Sequence, residues 1–110
     1  MKSLLESVRL EDFQLQAIIN AFNSYFLPDD HLWIFGSRAE LHKKGGDIDL
    51  YIETKSADAK EAYERETKFI SEIWDRIGEQ KIDIVMNLVS LEGGQLPIYE
   101  VARTKGIKLI

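Results

Sequence analysis

Cysteine is absent from all 110 residues. That excludes thiol catalysis, a disulfide scaffold and cysteine-rich zinc sites, and it is compatible with a reducing compartment. Proline occurs twice and glycine seven times, too few for a collagen-like or Pro/Gly-rich disordered chain. Positive charge is also short: 14 Lys and Arg stand against 19 Asp and Glu, a net charge of −5. Such a balance disfavours gripping a long nucleic-acid backbone. A single nucleotide is not excluded, because a divalent cation can supply the missing positive charge. Long apolar runs are missing as well, and none approaches the ~20 residues of a membrane span. The opening Met1-Lys2 leads into Ser3, Glu6, Arg9, Glu11 and Asp12, which is no secretory signal, so the expected location is the cytoplasm.

What is present suits one domain spanning residues 1–110. Apolar residues make up 45% and charged residues 30%, ordinary values for a chain that buries one modest core. Leu15, Ile18, Ile19, Phe22 and Phe26 recur at helical spacing and predict a helix over about 10–26, ended by Pro28-Asp29-Asp30. His31 to Phe35 (HLWIF) is a short apolar run closed by Gly36 and predicts a buried strand. Residues 37–41 fit a short helix, and Lys43-Lys44-Gly45-Gly46 a loop. Residues 47–53 (DIDLYIE) alternate with period two, a strand with Ile48, Leu50 and Ile52 towards the core. Ser56 is the expected N-cap of a second helix to Ile77, with Ala59, Ala62, Tyr63, Ile70, Ile73, Trp74 and Ile77 on its apolar stripe and Gly78 as its stop. A third strand over 81–86, a glycine loop over 91–97, a helix over 98–104 and a terminal strand over 107–110 complete the chain. The predicted class is α/β or α+β: a small mixed sheet with helices packed on it.

Three features bear on chemistry. Gly36-Ser37 directly follows a strand, where glycine permits close approach of a phosphate, Ser37 adds a hydroxyl and a following helix start offers free N–H groups. Asp47 and Asp49 lie two apart on a strand, hence on one face. Their carboxylates repel unless a cation lies between them, and hard oxygen ligands suit Mg²⁺. Asp83 lies inside the apolar run Lys81-Ile82-Asp83-Ile84-Val85, where an acid calls for a partner or a ligand. If its strand neighbours the Asp47–Asp49 strand, three carboxylates meet, enough for a two-metal phosphoryl-transfer centre. Each feature alone is commonplace: a strand-ending turn, a solvated strand face, a salt-bridged acid. His31 and His42 make no metal site, Trp33 and Trp74 have core spacing, and Tyr51 shares the carboxylate face, where it would border a nucleotide.

Taken together, Gly36-Ser37-x9-Asp47-Ile48-Asp49 with Asp83 on a later strand resembles the nucleotidyltransferase superfamily that includes DNA polymerase β. The run IFGSRAELHKKGGDIDLYIE is similar to the compact minimal nucleotidyltransferases. The resemblance implies a polymerase β palm-like fold, with Gly36, Ser37 and Arg38 at the triphosphate. It implies Asp47, Asp49 and Asp83 as catalytic ligands of two Mg²⁺ ions, and ATP as substrate. Related sequences often continue Gly-Ser-Arg-Ala with Arg-Gly, whereas Glu40 and Leu41 follow Ala39 here; Arg38, Lys43 and Lys44 would offset the acid.

About 24 residues follow Met86, expected to be too few for a built-in acceptor domain. The minimal group is similar to proteins paired with an all-helical HEPN protein, a toxic ribonuclease that the nucleotidyltransferase restrains as antitoxin by adenylylating a tyrosine. The expected function is therefore Mg²⁺-dependent transfer of AMP from ATP to a tyrosine of such a partner, within a hetero-oligomer. The alternatives are a small-molecule (aminoglycoside-like) nucleotidyltransferase and a non-catalytic subunit that masks the partner.

Overall fold

A computed structural model describes residues 11–36, 48–90 and 96–110. Helix α1 (Asp12–Tyr25) begins with a capping box, in which the Glu11 side chain accepts from the Gln14 backbone and the Gln14 side chain accepts from Glu11 N at 3.0 Å. Two N–H groups that a helix start leaves unpaired are thereby satisfied. Leu15, Ile18 and Phe22 then fall on one buried stripe. Strand β1 (His31–Phe35) follows the turn, and β2 (Ile48–Thr54) comes next among the described residues.

Helix α2 (Ala59–Ile77) is capped by Asp58, whose side chain accepts from Lys60 N and Glu61 N at 3.0 and 3.3 Å. Ser56, the expected cap, is buried instead, its hydroxyl donating to Asp58 O at 3.2 Å. The helix stops at Gly78, where φ is 89°, a left-handed conformation that favours glycine. Ala62, Phe69 and Ile73 form its buried line, while Tyr63 and Trp74 are 51% and 37% exposed. The two aromatics were expected on the core stripe. They lie one residue, about 100°, round from the buried line, and that rotation turns them outward.

Strand β3 (Ile82–Leu88), helix α3 (Pro97–Lys105) and strand β4 (Ile107–Lys108) complete the described elements. The four strands form one mixed sheet in the order β3-β2-β1-β4. β1 pairs antiparallel with β2 and with β4, and β2 pairs parallel with β3. The expected mixed sheet with packed helices is the observed architecture. The proposed short helix over 37–41, the basic-glycine loop before β2 and residues 91–95 of the glycine loop expected over 91–97 lie outside the described residues, while Pro97, expected in that loop, is the first residue of α3.

The sheet has two unlike faces. One carries Leu32, Ile34, Ile48, Leu50, Ile52, Met86 and Leu88 against α1 and α2. Phe22, Phe26 and Phe69 seal that layer, with Phe69 edge-on to both others at 6.0 and 5.5 Å between ring centroids. The opposite face carries Trp33, Tyr51 and Val85, with Tyr99 and Ala102 of α3 laid across it. Trp33 is core, as its spacing predicts, but it belongs to this second, smaller cluster.

Candidate active site

Strand alternation decides which β2 side chains meet solvent. Ile48, Leu50 and Ile52 point into the helix-covered core, so Asp49, Tyr51 and Glu53 project from the other face. The parallel register sets Asp49 opposite Asp83 on β3, and the antiparallel register sets it opposite Phe35 on β1. In-register neighbours on adjacent strands are about 4.8 Å apart. The two acids, 34 positions apart in sequence, therefore share one rung and one face. The expected adjacency of the two strands is observed, and it brings Asp83 beside Asp49.

Gly36 completes this corner. It follows Phe35, has φ 72°, and a Cβ placed on it would come within 2.3 Å of Asp49 Oδ2. Only a residue without a side chain leaves the carboxylate where it is. Glycine is thus needed here for the chain's own packing, a reason distinct from phosphate approach.

Asp83 differs from its expected setting. An acid in so apolar a strand reads as buried and dependent on a partner, yet its side chain is 52% exposed. It pairs with Lys81 Nζ at 3.8 Å, and the Lys81 side chain is itself 66% exposed. The apolar neighbours Ile82 and Ile84 face the helix layer, and period-two geometry sends Asp83 the other way. Such an exposed pair contributes little stability. Lys81 escaped the sequence reading as a companion of Asp83; the signal was its i, i+2 spacing on the same strand.

Further along the same face the polar groups are consumed internally. Tyr51 is fully buried, its hydroxyl donating to Glu53 Oε2 at 2.7 Å and accepting from Asn87 Nδ2 at 3.1 Å and Arg103 Nη1 at 3.2 Å. Arg103 also donates to Glu53 Oε2 at 2.9 Å. Burial, first, and the adjacent Glu53 push the Tyr51 pKa up to about 12. Tyr51 therefore does not border an accessible nucleotide, as its place on the carboxylate face suggests. It joins β2, β3 and α3. Nothing local in the sequence links Tyr51 to Arg103, 52 positions away.

At this corner Asp83 stands on the surface, its side chain about half exposed. A concavity of about 420 Å³ lies elsewhere, between α1 and α2, lined by residues that include Phe13, Asn20, Glu72 and Arg76. It is on the helix side of the sheet, away from Asp49 and Asp83, and its charged pair, Arg76 and Glu72, is already bonded at 2.8 Å.

Asp47, Ser37 and Arg38 lie outside the described residues, as do Glu40, Lys43 and Lys44. Among the described residues there is no group of three or more His, Asp or Glu able to hold a metal ion. The Asp49–Asp83 rung nonetheless fits the chemistry of a hard divalent cation. It offers two carboxylates from adjacent strands on an open face, and Mg²⁺ commonly takes one or two protein carboxylates, completing its shell with water and substrate phosphate.

Comparison with known proteins gives one family. The profile of the family described as "Nucleotidyltransferase domain" matches residues 15–107, which takes in every described element from early α1 to the first residue of β4. No curated protein matches the chain. Among the described residues no helix is long and apolar enough to cross a membrane.

Proposed function

The chain belongs to the nucleotidyltransferase domain family, and from that premise we propose that it transfers AMP from ATP to a protein hydroxyl, with Mg²⁺ held by its strand-borne carboxylates. The observation that carries the proposal is the shared rung of Asp49 and Asp83, flanked by Gly36, with Asp83 half exposed to solvent. By resemblance, Asp47 adds a third carboxylate, and Ser37 and Arg38 join Gly36 at the triphosphate.

In the reaction the acceptor oxygen attacks the α-phosphorus. A new P–O bond forms, the bond from that phosphorus to the α–β bridging oxygen breaks, and pyrophosphate leaves with the electron pair. A bound divalent cation supplies charge neutralisation and polarisation at the phosphorus. Asp49, set between β1 and β3, has the more fixed position and suits orientation of the triphosphate. Asp83 is the more solvent-open acid and suits uptake of the proton from the acceptor hydroxyl. The Tyr51–Glu53–Asn87–Arg103 network, buried at Tyr51 and Asn87, ties β2, β3 and α3 together on the same face.

A protein acceptor is preferred because Asp83 stands half exposed on the strand face, where the hydroxyl of a macromolecule can reach it. The similarity to minimal nucleotidyltransferases points to a tyrosine of a helical HEPN ribonuclease, restrained as toxin by this chain as antitoxin. The test incubates the protein with ATP, Mg²⁺ and such a partner, followed by intact mass spectrometry. A mass gain of one AMP on the partner, absent with Asp49→Asn or with chelator, is the expected result. Inhibition of the partner without any adduct would instead indicate a masking subunit. Adducts confined to small hydroxyl compounds would indicate the small-molecule reaction.

A further inference from the structure

The carboxylate rung lies beside the end strand of the sheet. Among the described residues β3 has one strand neighbour, β2. The hydrogen bonds at the two ends of that pairing fix which β3 backbone groups are used. Ile48 N donates to Lys81 O at 3.0 Å, and Val89 N donates to Thr54 O at 3.1 Å. In a parallel ladder this alternation assigns Lys81, Asp83, Val85, Asn87 and Val89 to β2. The N–H and C=O groups of Gln80, Ile82, Ile84, Met86 and Leu88 therefore face away from it.

Those outward groups are not equivalent. The carbonyl of Gln80 is taken by Trp74 Nε1 at 2.8 Å. Met86 and Leu88 are buried. Ile82 and Ile84, on either side of Asp83, are only half-buried. Among the described residues a short stretch of sheet edge is thus left unpaired beside Asp83, with the exposed indole of Trp74 at one end of it.

We propose that the acceptor protein is bound by strand addition along this edge. An extended loop or terminus of the otherwise helical acceptor would pair its backbone with Ile82 and Ile84, and the residue opposite Asp83 would be the one modified. In-register side chains of neighbouring strands lie on the same face whether the strands run parallel or antiparallel. A serine, threonine or tyrosine at that position therefore projects onto the face of Asp49 and Asp83. Its flanking residues project to the helix side, where Trp74 offers an apolar contact. Unpaired edges are the standard place for such backbone pairing, and specificity then lies in which residue stands at the rung. The proposal rests on the nucleotidyl-transfer reading above and adds how the protein acceptor is presented. The bond made is from the acceptor oxygen to the α-phosphorus, with pyrophosphate leaving and the hydroxyl proton passing to Asp83.

The probe is a capped heptapeptide, Thr-Thr-Val-Tyr-Val-Thr-Thr, whose valines fall on the helix side when its tyrosine stands at the rung, with ATP and Mg²⁺ and the full chain. Controls are the same peptide with alternate backbone amides N-methylated, and tyrosine amide. Adduct formation on the unmodified peptide should be at least tenfold faster than on either control, and the Ile82 and Ile84 amides should gain hydrogen-exchange protection. Ile84→Pro deletes an outward N–H while leaving the N–H groups of Asp83 and Val85 to β2, a substitution that edge strands tolerate. Ile84→Ala loses the same packing but keeps the N–H, so peptide transfer should be at least tenfold slower in Ile84→Pro than in Ile84→Ala. Equal rates for the methylated and unmodified peptides, or for the two variants, overturn strand addition and leave protein adenylylation standing. So does protection of Ile82 and Ile84 that grows with protein concentration in the absence of peptide, which would make a second copy the occupant. Modification of tyrosine amide but of neither peptide overturns strand addition together with the protein-acceptor reading. No adduct on any hydroxyl overturns nucleotidyl transfer itself, and strand addition with it.

Discussion

The two ends of the central sheet carry the same kind of residue in opposite states. At the end where His31 pairs with Glu53, Asp30 is buried, and its carboxylate accepts from Leu27 N, the Thr54 hydroxyl and Lys55 N at 2.7–3.0 Å. Nearby, Glu53 is held by Tyr51 and Arg103. At the other end Asp83 is half exposed and meets a solvent-exposed lysine at 3.8 Å, on the rung it shares with Asp49. A carboxylate saturated by internal donors has no lone pairs to offer a ligand, and one facing water does. The difference separates acids that hold the fold together, Asp30 and Glu53, from an acid that faces water, Asp83, although both kinds stand at strand ends.

That contrast can be broken from either side. The largest effect is expected at the open end. Asp49→Asn should slow nucleotidyl transfer about a thousandfold, roughly 4 kcal/mol in the barrier, with little change in melting temperature. Mass spectrometry of the product and circular dichroism measure the two. A large loss of stability instead would place Asp49 with the structural acids.

At the closed end Asp30→Ala removes a carboxylate that satisfies three donors. It should cost about 3 kcal/mol of stability, seen in urea denaturation, with MgATP affinity of the folded protein preserved. An unchanged denaturation midpoint would show that the buried acid is dispensable.

The closed end also predicts a pH response. Folding makes Tyr51 hold its proton more tightly, moving its pKa from the ordinary 10.0 up to about 12. Its contribution is therefore full below pH 10 and is lost as pH rises towards 12, about 2–3 kcal/mol in all. Stability measured across that window should fall in the native protein and much less in Tyr51→Phe. Parallel curves would remove Tyr51 as the source.

The smallest effect is expected where the open end meets the backbone. Gly36→Ala puts a methyl against the Asp49 carboxylate and an L side chain at positive φ. A cost of about 1 kcal/mol in stability and about tenfold weaker MgATP binding, roughly 1.4 kcal/mol, should appear by calorimetry. Tighter binding would mean that Asp49 tolerates displacement.

Much of this was legible residue by residue. The run HLWIF, the alternation from Ile48 to Glu53 and the stop at Gly78 predict β1, β2 and the end of α2, because strand and helix periods and glycine's conformational freedom are local properties. The Gly-Ser and Asp-x-Asp pattern pointed to the family for the same reason. Where the residues misled, the face that a neighbouring element covers decided the outcome, and only for Tyr51 did that turn on side chains distant in the chain. Trp74 and Tyr63 have core-like character but fall just off the line on which Ala62, Phe69 and Ile73 meet the sheet. Asp83 has apolar neighbours, yet the pleat turns it outward. Tyr51 shares a face with Asp49, but Asn87 and Arg103 close over it.

The sequence by itself determined the class of fold, most element boundaries to within a few residues, and the acidic, nucleotide-compatible character of one strand face. Backbone periodicity and side-chain chemistry act over a few positions and are written directly in the chain. Tertiary structure alone decided that Asp49 and Asp83 share a rung, that Gly36 must be bare because a carboxylate lies against it, and which end of the polar face stays open. Those outcomes depend on the parallel register of β2 and β3 and on where α3 crosses the sheet, and both are set by packing between segments far apart in sequence.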